Sequence, residues 1–175
     1  DIGTTTIAMQ LVSLESTNII AKAADTNPQV SYGFDVMSRI AYTMEHPDGL
    51  KNLQKSIVNT LNTLIEKLLK ESGIEKTKIV ELVVSANTTM SHILLKESIE
   101  SLGKFPFIPV FTKSKTVSAS KIGLNLSKIC KLVTLPHISA FVGSDIVSGA
   151  YASAMCDDLT KENILFIDIG TNGEM

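Results

Sequence analysis

Residues 1–6 read DIGTTT and residues 163–175 read NILFIDIGTNGEM, so the tetrapeptide Asp-Ile-Gly-Thr stands at both ends of the sequence. The second copy is the more informative. Ile164 to Ile167 are an apolar run suited to a buried strand, and Asp168 stands at its carboxyl tip. Gly170 permits a sharp turn, to which Thr171, Asn172 and Gly173 bring amide and side-chain donors. Open α/β sheets bind ligands at the carboxyl ends of their strands. Outward-pointing amides there suit a phosphate, and a carboxylate beside them suits a hydrated Mg²⁺. The first copy has the same logic. Asp1, Gly3, Thr4, Thr5 and Thr6 form a tip and turn that leads into IAMQLV, and a strand is expected ahead of Asp1.

Outward from these loops, 5–13 and 18–24 read as a hairpin around the turn-like LEST. TNPQVSYG (26–33) reads as a loop, and Asp35 as the cap of a short helix, VMSRIAYTME. Leu53, Ile57, Val58, Leu61, Leu64, Ile65, Leu68 and Leu69 recur at spacings of three and four, which predicts a helix over 52–71 stopped by Gly73. IVELVVS (79–85) predicts a buried strand that passes into a helix capped by Asn87, Thr88 or Thr89. The two prolines of FPFIPVF (105–111) make it an edge or loop segment packed on the core. KLVTL (131–135) and NILFIDIG (163–170) predict two more strands, and Ser144 and Asp145 open a helix, DIVSGAYASAM. This order argues for an α/β layer fold with a mixed sheet flanked by helices.

Composition narrows the function. The 175 residues are 44% hydrophobic, with mean hydropathy +0.22 and net charge −2. That balance has no basic stripe for nucleic acid, and 5% aromatics without Trp leave no base-stacking platform. Cys130 and Cys156 lie far apart with no Cys/His spacing, so they read as buried free thiols in a reducing cytosol. No apolar run approaches the roughly 20 residues of a membrane span, and no secretory signal is visible; a cytoplasmic location is expected.

DIGTTT, NPQVSYGFDVMSRI, ANTTMSH, FPFIP, LPHISAFVGSDIVSG and FIDIGTNGEM occur here in that order. The sequence resembles the reductive activators of corrinoid proteins, ferredoxin-linked ATPases of the actin-like and sugar-kinase-like superfamily. The resemblance covers nearly the whole chain, and NPQxxYGxDVxSRI and DIGTNGE are its most distinctive parts. It implies a ribonuclease-H-like actin-type ATPase lobe, with 1–175 as the first lobe and 168–175 as the phosphate loop that begins the second. It implies ATP and Mg²⁺ as cofactors. Gly3 and Thr4 to Thr6 would face the phosphates from one side, and Gly170, Thr171, Asn172 and Gly173 from the other. Asp1 and Asp168 would be catalytic, holding Mg²⁺ through water, with one of them orienting the attacking water. It implies a corrinoid (cobalamin) protein as partner and reduction of Co(II) to Co(I). A [2Fe–2S] cluster is expected only in a ferredoxin-like domain upstream of Asp1, and the adenosine site only in a lobe after Met175. Ala86 stands where the family usually has Gly, which bears on the local turn.

Other readings compete. Within the superfamily a kinase or a dehydratase activator is possible on these motifs; from another class, a catalytically silent docking or dimerisation lobe, including a homodimer. A two-metal nuclease is disfavoured by the charge and by the Gly-Thr context of both aspartates. Asn87, His92 and Asp145 are candidates for the cleft, although His92 and Asp145 equally suit structural roles at helix starts. His137 is placed near the cleft, His46 in solvent, and Arg39 in an ion pair with Asp35 one turn back. Ser139 and Ser144 make no hydrolase triad, because no G-x-S-x-G elbow exists.

Overall fold

The alternation of buried and exposed residues after Thr6 folds the start of the chain into a hairpin. In the computed structural model, β1 (Thr6–Val12) and β2 (Ile19–Thr26) pair antiparallel, with Thr6 opposite Thr26 and a bulge at Leu11 and Val12. The structure describes residues 1–155 and 163–170 and the backbone of 173–174. Cys156, Thr171, Asn172 and Met175 lie outside the described residues.

Asp35 begins α1 (Val36–Glu45) through a reciprocal pair of bonds: its carboxylate accepts from the Ser38 amide at 2.7 Å, and the Ser38 hydroxyl accepts from the Asp35 amide at 3.2 Å. α2 (Gly49–Ser72) carries the heptad-like stripe found in the sequence, and starts three residues earlier than expected. Leu53, Ile57, Leu61, Leu64 and Leu68 are buried along one face, against the hairpin and α3 (Thr88–Leu95). Gly73 ends the helix in a left-handed conformation, φ 68°, its amide donating to the Leu69 carbonyl.

A second sheet has the order β3-β5-β4, from β3 (Glu81–Val84), β4 (Lys115–Ser118) and β5 (Lys131–Thr134). β3 and β5 run parallel, joined by a crossover that contains α3, and β4 runs antiparallel to β5, so the sheet is mixed. β4 carries no apolar alternation and was not legible in the sequence; it is held by pairing with β5. Cys130 is a buried free thiol. Burial pushes its pKa up.

The segment 163–170 differs from expectation. Only Asp168–Ile169 is a strand, β6, and it pairs with β7 (Gly173–Glu174) alone. Leu165 is 72% and Ile169 87% exposed, so this is not a buried central strand. An apolar run becomes one only when neighbouring strands cover both of its edges, and none does so among the described residues. The last helix, α4 (Ser144–Ala152), packs its Gly149 against Phe166, where an added Cβ would lie 2.8 Å from the ring. No helix among the described residues is long and apolar enough to cross a membrane.

The α2 stripe carries the core, so Leu64→Ala should lower unfolding free energy by about 2–5 kcal/mol in urea denaturation. Glu66→Ala, on the exposed face, should change it by less than about 0.5 kcal/mol. Equal effects from the two would contradict the orientation of the helix.

Candidate functional site

Three loops meet at the carboxyl edge of the parallel strands β3 and β5. The first holds Asp1 to Thr6, the second Ser85 to Thr89, and the third His137 to Asp145. Ile2 joins the first to the second: it bridges Ile7 antiparallel and Ala86 parallel, and its amide donates to the Ser85 carbonyl at 2.9 Å. Ser144 joins the second to the third. Its hydroxyl donates to the Ala86 carbonyl at 3.0 Å and accepts from the Ala86 amide at 2.9 Å. The Ser85 hydroxyl donates to the Ser144 carbonyl at 3.0 Å, and the Thr88 hydroxyl to the Ser139 carbonyl at 2.7 Å.

The glycines in these loops are sterically required. A Cβ on Gly3 would sit 2.8 Å from the Thr6 carbonyl oxygen, to which the Gly3 amide donates. A Cβ on Gly143 would sit 2.7 Å from both the Ala86 oxygen and the Asn87 Cα. Ala86 is fully buried and forms the junction itself, bonded to Ser144 through both its amide and its carbonyl.

Beneath the first loop lies a brace of buried polar side chains. Arg39 has no exposed surface, and its guanidinium donates to the Thr4 carbonyl (2.5 Å), the Gly33 carbonyl (3.0 Å), Gln29 Oε1 (3.1 Å) and Met90 Sδ (3.1 Å). Asn27 Nδ2 donates to the Gly3 carbonyl at 2.8 Å, and the Asn27 amide to the Thr5 carbonyl at 2.7 Å. Gln29 Nε2 ties the brace to α2 through the Leu53 carbonyl at 3.0 Å. The expected Arg39–Asp35 ion pair is therefore not formed: Asp35 spends its carboxylate on the helix cap, and Arg39 turns inward. Burial pushes the Arg39 pKa down to about 10, so the group stays charged near neutrality. The spacing of Asn27, Gln29 and Arg39 gave no warning of this role. The one available sign was that NPQ and SRI form part of the most distinctive motif in the chain.

The sequence candidates divide by position. Asp1, Thr5 and Thr6 are exposed on the first loop, whereas Thr4 is buried above Arg39. Asn87 caps α3, its Oδ1 accepting from the Thr89 amide at 2.9 Å. Asp145 lies half-buried in the first turn of α4, which is capped by Gly143. Burial pushes the Asp145 carboxyl above the usual aspartate range, and the neighbouring charge of Asp168 adds to the shift. Asp168 therefore lies within electrostatic reach of Asp145. Ile2, Ala86 and Ser144 link the first Asp-Ile-Gly-Thr copy to the start of α4. Gly170 is exposed, and Gly173 is described by its backbone alone.

His92 sits in the core and not on the cleft surface. Nε2 accepts from the Val110 (3.1 Å) and Phe111 (3.4 Å) amides, which makes Nδ1 the donor to the Thr88 carbonyl at 2.7 Å. The ring stacks on Phe111 with centroids 4.2 Å apart and fastens the proline-rich segment to α3. His137 is also buried, with no partner for either ring nitrogen among the described residues. His46 is exposed and stacked on Tyr42, as expected of a solvated residue. The Ser139 hydroxyl accepts from the Phe141 and Val142 amides and serves a turn.

The profile of the RACo middle region matches residues 1–158. The chain belongs to the RACo middle region family. It is 30% identical, over all of its 175 residues, to the corrinoid activation enzyme RamQ of Eubacterium limosum, of which it covers 29%. It superposes on a solved reductive activator for a corrinoid, iron–sulfur protein with a TM-score of 0.94 and 38% identity, covering 98% of this chain and 27% of that one. The chain thus spans under a third of these longer relatives, and this RACo middle region shares the fold of the solved one along nearly its whole length.

Two predictions follow from the buried polar groups. Arg39→Lys keeps the charge but loses the fork that reaches Thr4 and Gln29 together, so amide exchange at Thr4–Thr6 and Asn27 should speed up, and stability should fall by about 1–3 kcal/mol per orphaned acceptor. Unchanged exchange in that variant would contradict the brace. Burial, joined by the charge of the His92 ring, pushes His137 down to about 4. The unfolded ring takes up its proton near about pH 6.5, before the folded one does. Stability should therefore be flat above pH 6.5 and decline toward pH 4. The urea midpoint of His137→Leu should decline less steeply over that window.

Proposed function

We propose that this chain is the phosphate-binding lobe of an ATP-hydrolysing reductive activator of corrinoid proteins, built on a ribonuclease-H-like, actin-type scaffold. The observation that carries the reading is the convergence at one sheet edge of the Gly3 turn and the amino ends of α3 and α4, with Asp168 within electrostatic reach of Asp145. Helix dipoles directed at this edge favour an anion there, and the carboxylates of Asp1 and Asp168 suit a hydrated Mg²⁺ beside it.

In this reading Gly3, Thr5 and Thr6 meet the phosphates from one side, and Gly170 with Thr171, Asn172 and Gly173 from the other. Asp1 and Asp168 would hold the hydrated cation, and one of them would orient the attacking water. When bound, Mg²⁺ and ATP supply charge neutralisation and the free energy for an electron transfer that is otherwise uphill. The names of the relatives support the corrinoid part: one is a corrinoid activation enzyme, the other a reductive activator for a corrinoid, iron–sulfur protein. The step served is reduction of Co(II) to Co(I) cobalamin, with electrons from a [2Fe–2S] domain of the full-length protein.

In the full-length protein, Asp168→Ala should weaken Mg²⁺-ATP binding by about tenfold or more, a loss of about 1.4 kcal/mol. Glu66→Ala should bind as the unaltered protein does. Equal binding by Asp168→Ala and the unaltered protein would contradict the site.

A further inference from the structure

The carboxyl edge of β3 and β5 carries the loops described above. The opposite, amino edge carries lysines. Lys131 opens β5 and stands beside Glu81, which opens β3. Across the other side of β5, Lys131 pairs with Ser118, the last residue of β4. The Ser118 hydroxyl donates to the Lys128 carbonyl at 3.0 Å and so holds the approach to β5 against the end of β4. Lys121 follows Ser118 by three residues, in a short turn (Ala119–Ile122) whose Ala119 amide donates to the Cys130 carbonyl at 2.9 Å. On the β3 side, the Lys131 amide donates to the Val80 carbonyl at 3.1 Å, and the turn just before Val80 carries Lys76 and Lys78. Folding thus gathers at one pole lysines that are scattered along the sequence.

All five are exposed, and none makes an ion pair among the described residues. Residues 75–81 and 118–131 together hold five lysines and two glutamates, a charge of +3, in a chain whose net charge is −2. Everything else therefore sums to −5. A basic pole on an otherwise acidic molecule orients an approaching anionic surface and raises the rate of encounter. We propose that this amino pole is a docking surface for a carboxylate-rich face of a partner protein.

The chemistry of the pole selects that occupant. Its cations are all lysines, which act as point charges on carboxylates; the planar fork with which arginine grips phosphate is absent from both segments. Neither segment holds an aromatic residue or a histidine, so bases have nothing to stack on. Glu81 stands beside Lys131 and would repel a uniformly anionic phosphate backbone, whereas a protein face can meet it with a donor. Ile129, between Lys128 and Lys131, is 73% exposed, and an apolar contact inside a charged rim is how protein interfaces are built. The pole lies at the other end of the strands from the glycine turns, so this inference does not depend on what those turns bind.

The test uses the full-length protein and a fluorescent peptide of about ten glutamates, up to about 35 Å long when extended. The unaltered protein should lose about tenfold in affinity for it between about 20 and 150 mM salt. At the lower salt, the triple variant Lys121→Glu, Lys128→Glu, Lys131→Glu should bind about tenfold more weakly than the unaltered protein. The triple variant Lys22→Glu, Lys51→Glu, Lys55→Glu makes the same change in net charge at exposed positions elsewhere, and should bind within about twofold of the unaltered protein. In the free unaltered protein, Lys121, Lys128 and Lys131 should react with acetic anhydride as fast as Lys55, and about tenfold more slowly with the peptide at about ten times its Kd. Peptide binding that is absent, or that falls equally in the two triple variants, would overturn the proposal. Tighter binding of a single-stranded DNA of the same charge would overturn it in favour of nucleic acid. Slow acetylation in the free protein would overturn it in favour of the chain's own remainder covering the pole.

Discussion

A charged guanidinium with no exposed surface is costly unless acceptors surround it, and Arg39 has four: the Thr4 and Gly33 carbonyls, Gln29 Oε1 and Met90 Sδ. None is a carboxylate. The charge is therefore held by main-chain dipoles and neutral groups, and these in turn are fixed by it. Thr4 belongs to the first glycine turn, Gln29 to the loop after β2, and Met90 to α3. One side chain thus sets the relative placement of three segments that are distant in sequence. Gln29 extends the network to α2 at Leu53, so the apolar core and the polar brace share an anchor.

From that constraint the rest of the edge follows. With the first turn held down at Thr4, Ile2 lies against Ala86, and Ser144 then closes on Ala86 from the third loop. The result is a rigid edge of buried small residues, with exposed polar groups above it. Thr5, Thr6, Asp1 and Gly170 face out, while Thr4, Thr88 and Ser144 are consumed in holding the loops together. A site whose shape is fixed by its supports needs little rearrangement to receive a ligand, which lowers the cost of binding.

Much of this was legible in the sequence. The α2 stripe, the Gly73 stop, the Asp35 cap and the first hairpin are local signals, and each is met within a few residues. What failed was non-local. The pairing of β4 depends on β5 across the sheet. The run at 163–170 has the composition of a buried strand, but burial is supplied by neighbours. Arg39 lies one turn from Asp35, so helix spacing favours an ion pair; the tertiary position of Thr4 overrides it. His92 looks like a cleft residue at a helix start, and only the fold shows that both ring nitrogens are spent on the backbone. The sequence marked its candidate loops by the two Asp-Ile-Gly-Thr copies. The influence of Asp168 on Asp145 is tertiary, from a fold that packs α4 on Phe166.

If the two glycine turns form one phosphate site, amide exchange in the full-length protein with and without Mg²⁺-ATP reads it out. The nucleotide should slow exchange in the peptides covering residues 1–6 and 168–174 together, and leave the α2 core at Leu61–Leu68 unchanged. Slowing confined to one of the two turns, or absent from both, would contradict it.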